Sequence, residues 1–110
     1  MKPTKCGRAS DTIDIVAIAP ESHEVIFEND TIRMLKVTVR PGEKVSMHKN
    51  PENINYILKP GRLRLTGADG STIDFDLTEG QVIPAPRGQH AVENIGNTEV
   101  QTIGVELKHT

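Results

Sequence analysis

The side chains in this 110-residue chain best suited to chemistry are two histidines in separate segments, His48 and His90. An imidazole titrates near neutrality, so it serves as acid or base, and its neutral form ligates transition metals. His48 lies in "MHKNPENINYILKP", Met47 to Pro60, which adds three amides, Asn50, Asn53 and Asn55. His48, Asn50, Asn53, Asn55 and His90 are the candidate ligand-binding residues, and His48 with His90 the candidate metal ligands. Amide oxygens are hard, neutral and weak donors, so this set is short of the charge that holds a divalent transition ion. Glu52 is the nearby carboxylate able to supplement it. A cluster of neutral donors and acceptors is costly to bury dry, which points to water, a metal or a polar small molecule at its centre. No Ser/His/Asp order, phosphate-cradling glycine loop or pair of catalytic carboxylates can be argued from spacing.

The elements that must position these residues read as strands. "TIDIVAI", Thr12 to Ile18, alternates enough for a short strand ended by Pro20, and "HEVIFEND" places another before the Asn29-Asp30 turn. In "TIRMLKVTVR", Leu35, Val37 and Val39 share one face at period two, with Lys36, Thr38 and Arg40 opposite. "PGE" at Pro41–Glu43 is turn chemistry, followed by the extended runs "KVSMH" and "NINYIL". In the second run, an inward Asn53 carries Asn55 and Ile57 inward and sends Ile54, Tyr56 and Leu58 out. The clearest hairpin is "RLRLTGADGSTIDFDL": Leu63 and Leu65 alternate on one arm, Ile73, Phe75 and Leu77 on the other, around Asp69-Gly70. Three more short runs follow, punctuated by Pro84, Pro86, Gly88 and Gly96-Asn97. With no amphipathic helical stretch of useful length, the pattern is all-β, a sandwich or barrel.

Two stretches carry a family resemblance. "PGEKVSMHKNPENINYILKPGRLRL" and "EGQVIPAPRGQHAVENIGNTE" are similar to the two signature motifs of the cupin superfamily. The first family motif runs G-x5-H-x-H-x3,4-E-x6-G. Gly42 and His48 match it, Asn50 stands at the second His, and the Glu position falls on Asn53 or on Ile54, depending on the anchor. The second runs G-x5-P-x-G-x2-H-x3-N. Gly80, Pro86 and Gly88 match, His90 arrives one residue early, and Asn94 follows it at the expected spacing. The resemblance spans roughly Val25 to Leu107. It implies a double-stranded β-helix, or jelly-roll barrel, over residues 21–110, with residues 1–20 as a tail and short strand. It also implies a lumen site where three imidazoles and a carboxylate hold Fe, Mn, Ni, Cu or Zn; here two of the four positions are changed. A homodimer is the further implication, and exposed sheet edges give a physical motive for it.

Composition narrows the function classes. Apolar residues make up 35% and the only aromatics are Phe27, Tyr56 and Phe75, so Val, Ile and Leu must build the core. The formal charge of −2 is spread along the chain, and without a basic stripe or stacking platform nucleic-acid binding is not expected. No signal peptide and no membrane-length apolar run is seen, and Cys6 is the only cysteine, so the expectation is a cytoplasmic protein without an intrachain disulfide. Asn94 reads as a turn or backbone-bonding residue, and Lys59, Arg62 and Arg64 as a solvated strand face, with an inward arginine holding a carboxylate as the alternative. His23 and His109 read as surface residues. Three functions follow: a protein binding a polar small molecule through a His/Asn lumen site, a metal-dependent dioxygenase- or isomerase-like enzyme on His48 and His90, and a non-catalytic association module.

Overall fold

The computed structural model describes residues 15–108. One helical turn, α1 (Ile15–Ile18), precedes nine strands: β1 (His23–Glu28), β2 (Ile32–Val39), β3 (Lys44–Asn50), β4 (Asn53–Lys59), β5 (Gly61–Gly67), β6 (Thr72–Leu77), β7 (Val82–Ala85), β8 (Gly88–Asn94) and β9 (Val100–Leu107). They form two antiparallel sheets, ordered β1-β2-β9-β4-β7 and β3-β8-β5-β6. This is the expected all-β jelly roll. Among the described residues no helix is long and apolar enough to cross a membrane.

The strand expected over residues 12–18 is corrected where it is described, because Ile15–Ile18 form a turn of helix. Its β-branched residues favour extension locally, but Ile15 and Ala19, four apart, both bury against Leu35 and Val45. That spacing places them on one helical face, and tertiary contact overrides the local preference. The Ala19 amide donates to the Ile15 carbonyl at 2.8 Å, and Pro20 stops the turn. Part of the expected tail is therefore packed on the barrel; residues 1–14, including Cys6, and His109 lie outside the described residues.

The hairpin forms as read, with Leu63 opposite Phe75 and Leu65 opposite Ile73. On its outer face Arg64 donates to both oxygens of Asp74, at 2.8 and 3.1 Å, and Arg62 lies near Asp76. Lys59 pairs with Glu99, so none of these three cations turns inward. The inward arginine is Arg33 on β2. Its Nε donates to Glu106 Oε1 on β9 at 2.8 Å, and both side chains are largely buried.

The glycines that open the two motifs are explained by backbone geometry. Gly42 and Gly80 have φ of 81° and 82°, a left-handed region that disfavours any residue with a Cβ. Asn94 ends the second motif at 1% exposure. Its Nδ2 donates to the carbonyls of Val39 and Thr98, both at 2.8 Å, and its Oδ1 accepts from the Gly96 amide at 2.9 Å. It is the turn-locking residue expected.

Between the sheets, apolar side chains gather into two clusters. Ile15, Ala19, Leu35 and Val45 form one, and Ile57, Leu77 and Val100 the other. Ile57 and Val100 are each 1% exposed, and burying such side chains contributes roughly 1.5–3 kcal/mol apiece. The outer face of the five-stranded sheet is also apolar along the register. Phe27, Met34, Val105 and Ile54 form one cross-strand row, and Ile103, Tyr56 and Val82 another. Phe27, Ile54, Tyr56 and Val82 are exposed.

Candidate functional site

A cavity of about 800 Å³ lies between the sheets, lined by members of both apolar clusters. Its polar lining includes all five residues selected from the sequence, His48, Asn50, Asn53, Asn55 and His90. Burial on β4 alternates as expected: Asn53 and Asn55 are half-buried, Ile57 is buried, and Ile54 and Tyr56 are exposed. Leu58 departs from the pattern by being half-buried.

His48 reaches the cavity by way of a β-bulge. On β3, Lys44 and Val45 pair with Glu93 and Val92, but His48 pairs with His90, so Ser46 and Met47 together stand opposite Ala91 alone. The extra residue reverses the alternation of faces. Val45 and His48, three apart, therefore both line the cavity. The bulge also places the Ser46 carbonyl 2.7 Å from His48 Nδ1. A carbonyl can only accept, so Nδ1 carries a proton, and in the neutral imidazole Nε2 holds the lone pair. His48 is 5% exposed.

His90 stands opposite on β8, its ring centroid 5.0 Å from that of His48 in an edge-on arrangement at 84°. Burial first, and then the neighbouring His48, push its pKa down from 6.5 to about 4, so it is neutral at pH 7. Asn50 Nδ2 lies 2.9 Å from His90 Nε2 and donates to it. On the other sheet, Asn55 Nδ2 donates to Asn53 Oδ1 at 2.7 Å, and Asn53 Nδ2 donates to the Pro51 carbonyl at 2.8 Å. These two amides are thus partly committed to each other and to the backbone.

Two buried polar lining residues escaped the sequence reading. His23 was expected at the surface; it is 8% exposed and lines the cavity. It faces Val37 across the β1–β2 pair, and its Nδ1 lies 2.9 Å from Ser22 Oγ and 3.3 Å from the Ala19 carbonyl. Burial, the largest cause, lowers its pKa, and a charge on His48 lowers it further. Glu106, paired with Arg33, is the other. Period two carried one signal for that pair, because Arg33 stands two residues before the inward Leu35. Nothing in the local sequence marked His23, whose inward direction depends on pairing with β2.

The metal expectation meets a donor set that does not fit. His48 offers Nε2, but the Nε2 of His90 is taken by Asn50. Glu52 is exposed at the β3–β4 turn and lines a second cavity rather than the main one. Among the described residues no three His, Cys, Asp or Glu side chains converge as a metal site needs. Within the His48, Asn50, Asn53, Asn55 and His90 cluster, one open imidazole nitrogen and neutral amides hold a divalent transition ion poorly, and Glu106 is committed to Arg33.

Comparison with solved structures identifies the architecture: the chain has the double-stranded β-helix fold seen in cupin domains. It is similar to a cupin domain from Bordetella pertussis, with a TM-score of 0.73 and 24% identity over 79% of this chain and 92% of that one. An RmlC-like cupin family protein from Methanocaldococcus jannaschii gives a TM-score of 0.64 at 19% identity, over 79% of each chain. A predicted oxalate decarboxylase from Thermotoga maritima gives 0.57 at 24% identity, over 76% of each chain. No protein-family model and no curated protein sequence matches the chain. At these identities the likeness shows the fold alone, and chemistry has to be argued from the cavity.

Proposed function

We propose that this cupin-fold domain binds a small molecule in its lumen, with the ligand's polar group at the His48, Asn50, Asn53, Asn55 and His90 cluster and its body against the apolar wall. The carrying observation is the cavity itself. At about 800 Å³ it has the size of a small-molecule site, and it sets a few polar groups among Ile, Leu and Val side chains. This refines the expectation of a polar ligand: Leu35, Ile57, Leu63 and Phe75 call for hydrocarbon as well. The mismatch of donors to a transition ion supports binding over metal-dependent catalysis. An inert association module has no use for buried imidazoles facing a cavity of this size.

A thermal-shift screen of small alcohols, acids and sugars, run beside elemental analysis of the purified protein, tests the reading. A ligand that binds only the folded state raises the melting temperature as it approaches saturation, by about 2.7 kcal/mol of stability at a hundredfold excess over Kd. A stoichiometric transition metal that disappears in His48→Ala would overturn the reading in favour of a metalloenzyme. A screen in which nothing shifts the transition would leave the association module.

A further inference from the structure

Resting on that reading, we infer that the ligand is a neutral hydroxyl compound on a hydrocarbon frame, whose O–H donates to His48 Nε2. Three observations converge on this class. The Ser46 carbonyl holds a proton on His48 Nδ1, so in the neutral imidazole Nε2 can only accept. No hydrogen bond from the described residues reaches Nε2, although the residue is 5% exposed and lines the cavity. A buried acceptor without a donor is costly, and a ligand O–H removes that cost.

The surroundings sharpen the choice. The neighbouring imidazole, His90, already receives Asn50 at its Nε2, and Arg87, a cation in the cavity lining, is exposed to solvent. A carboxylate brought against a lone pair would add one acceptor to another. An ether of the same shape would fill the same space and leave Nε2 unpaired. Sites built around a specific hydrogen bond reject analogues that lack it more strongly than they reject a missing methylene. The apolar wall formed by Leu35, Val45, Ile57, Leu63 and Phe75 accommodates the hydrocarbon.

The test uses three probes on one frame, 2-naphthalenemethanol, its methyl ether and 2-naphthoate, measured by isothermal titration calorimetry at neutral pH. The wild-type chain should bind the alcohol roughly tenfold or more tighter than the ether or the carboxylate. His48→Asn keeps an amide N–H for the Ser46 carbonyl and deletes the Nε2 acceptor, so it should bind the alcohol and the ether alike. The wild-type ratio needs no variant, so the inference remains testable even if His48→Asn fails to fold. Equal binding of alcohol and ether, or tighter binding of naphthoate, overturns the inference while the lumen-binding reading stands. Failure of all three probes, with no hit in the thermal-shift screen, overturns both.

Discussion

Neutral His90 makes a pH-dependent demand on the whole fold. In the unfolded chain its imidazole takes up a proton at about pH 6.5, whereas in the folded protein burial and His48 hold the pKa near 4. Below pH 6.5 the unfolded state therefore binds a proton that the folded state refuses. The stability contributed by neutral His90 is complete above pH 6.5, declines as pH falls towards 4, and levels off once both states are protonated. At about 1.4 kcal/mol per tenfold change in proton affinity, this depression is worth at most about 3.5 kcal/mol, and the half-buried ring brings it to about 2–3. Urea unfolding of wild type and His90→Phe at pH 7, 6, 5 and 4 measures it. The carboxylates and His23 titrate in both proteins, so the difference between the curves isolates His90. Wild type should lose about 2–3 kcal/mol more than the variant over this range. The His90 Cε1 proton, followed by NMR, should shift with a midpoint well below 6. A midpoint at 6.5, or parallel stability curves, would refute the burial argument and with it the neutral imidazole that accepts from Asn50.

Further outcomes follow from the scaffold. Asn94→Ala removes three hydrogen bonds from a residue 1% exposed and should cost about 3 kcal/mol in urea unfolding. A change under about 0.5 kcal/mol would mean the turn holds without it. Gly80→Ala forces a Cβ into a φ of 82° and should cost about 1–2 kcal/mol, whereas Gly88→Ala, with no atom within 4 Å of the added Cβ, should cost much less. The outer apolar rows through Phe27, Ile54, Tyr56 and Val82 are proposed to be covered by a second copy of the chain. Glu24 and Lys36, which continue the Ile103–Tyr56 row, offer both signs of charge to a two-fold-related partner. Sedimentation analysis should show a dimer that Tyr56→Lys converts to monomer; a wild-type monomer would overturn this.

The sequence made the architecture legible because its cues are local. Gly42 and Gly80 mark turns that need positive φ, Asp69-Gly70 closes a hairpin, and the alternation through Asn53, Asn55 and Ile57 gives the inward face of β4. The run over Ile15–Ile18 misled for a physical reason: four β-branched or small apolar residues suit a strand, and only contact with Leu35 and Val45 selects the helical turn. His23 was hidden similarly, since its burial depends on pairing with Val37 and on the turn through Ala19. The five cavity residues could be gathered from motif spacing. Their partnerships could not, because the Asn50–His90 and Ser46–His48 bonds depend on register between strands and on side-chain rotamers.

The bulge on β3 gives motif spacing a different meaning. In a regular strand the face a residue presents is a matter of parity, odd or even along the chain, and every pattern counted in fixed steps assumes that parity holds. The extra residue at Ser46–Met47 flips it once, so Gly42 and His48 are separated by a count that is correct only if the flip occurs. Keeping both residues in a strand without the bulge would leave the composition untouched and turn His48 outward, whereas deleting one of them would restore plain alternation and keep His48 opposite His90. The site is thus encoded partly as a phase, carried by backbone irregularity rather than by the identity of any chemical group.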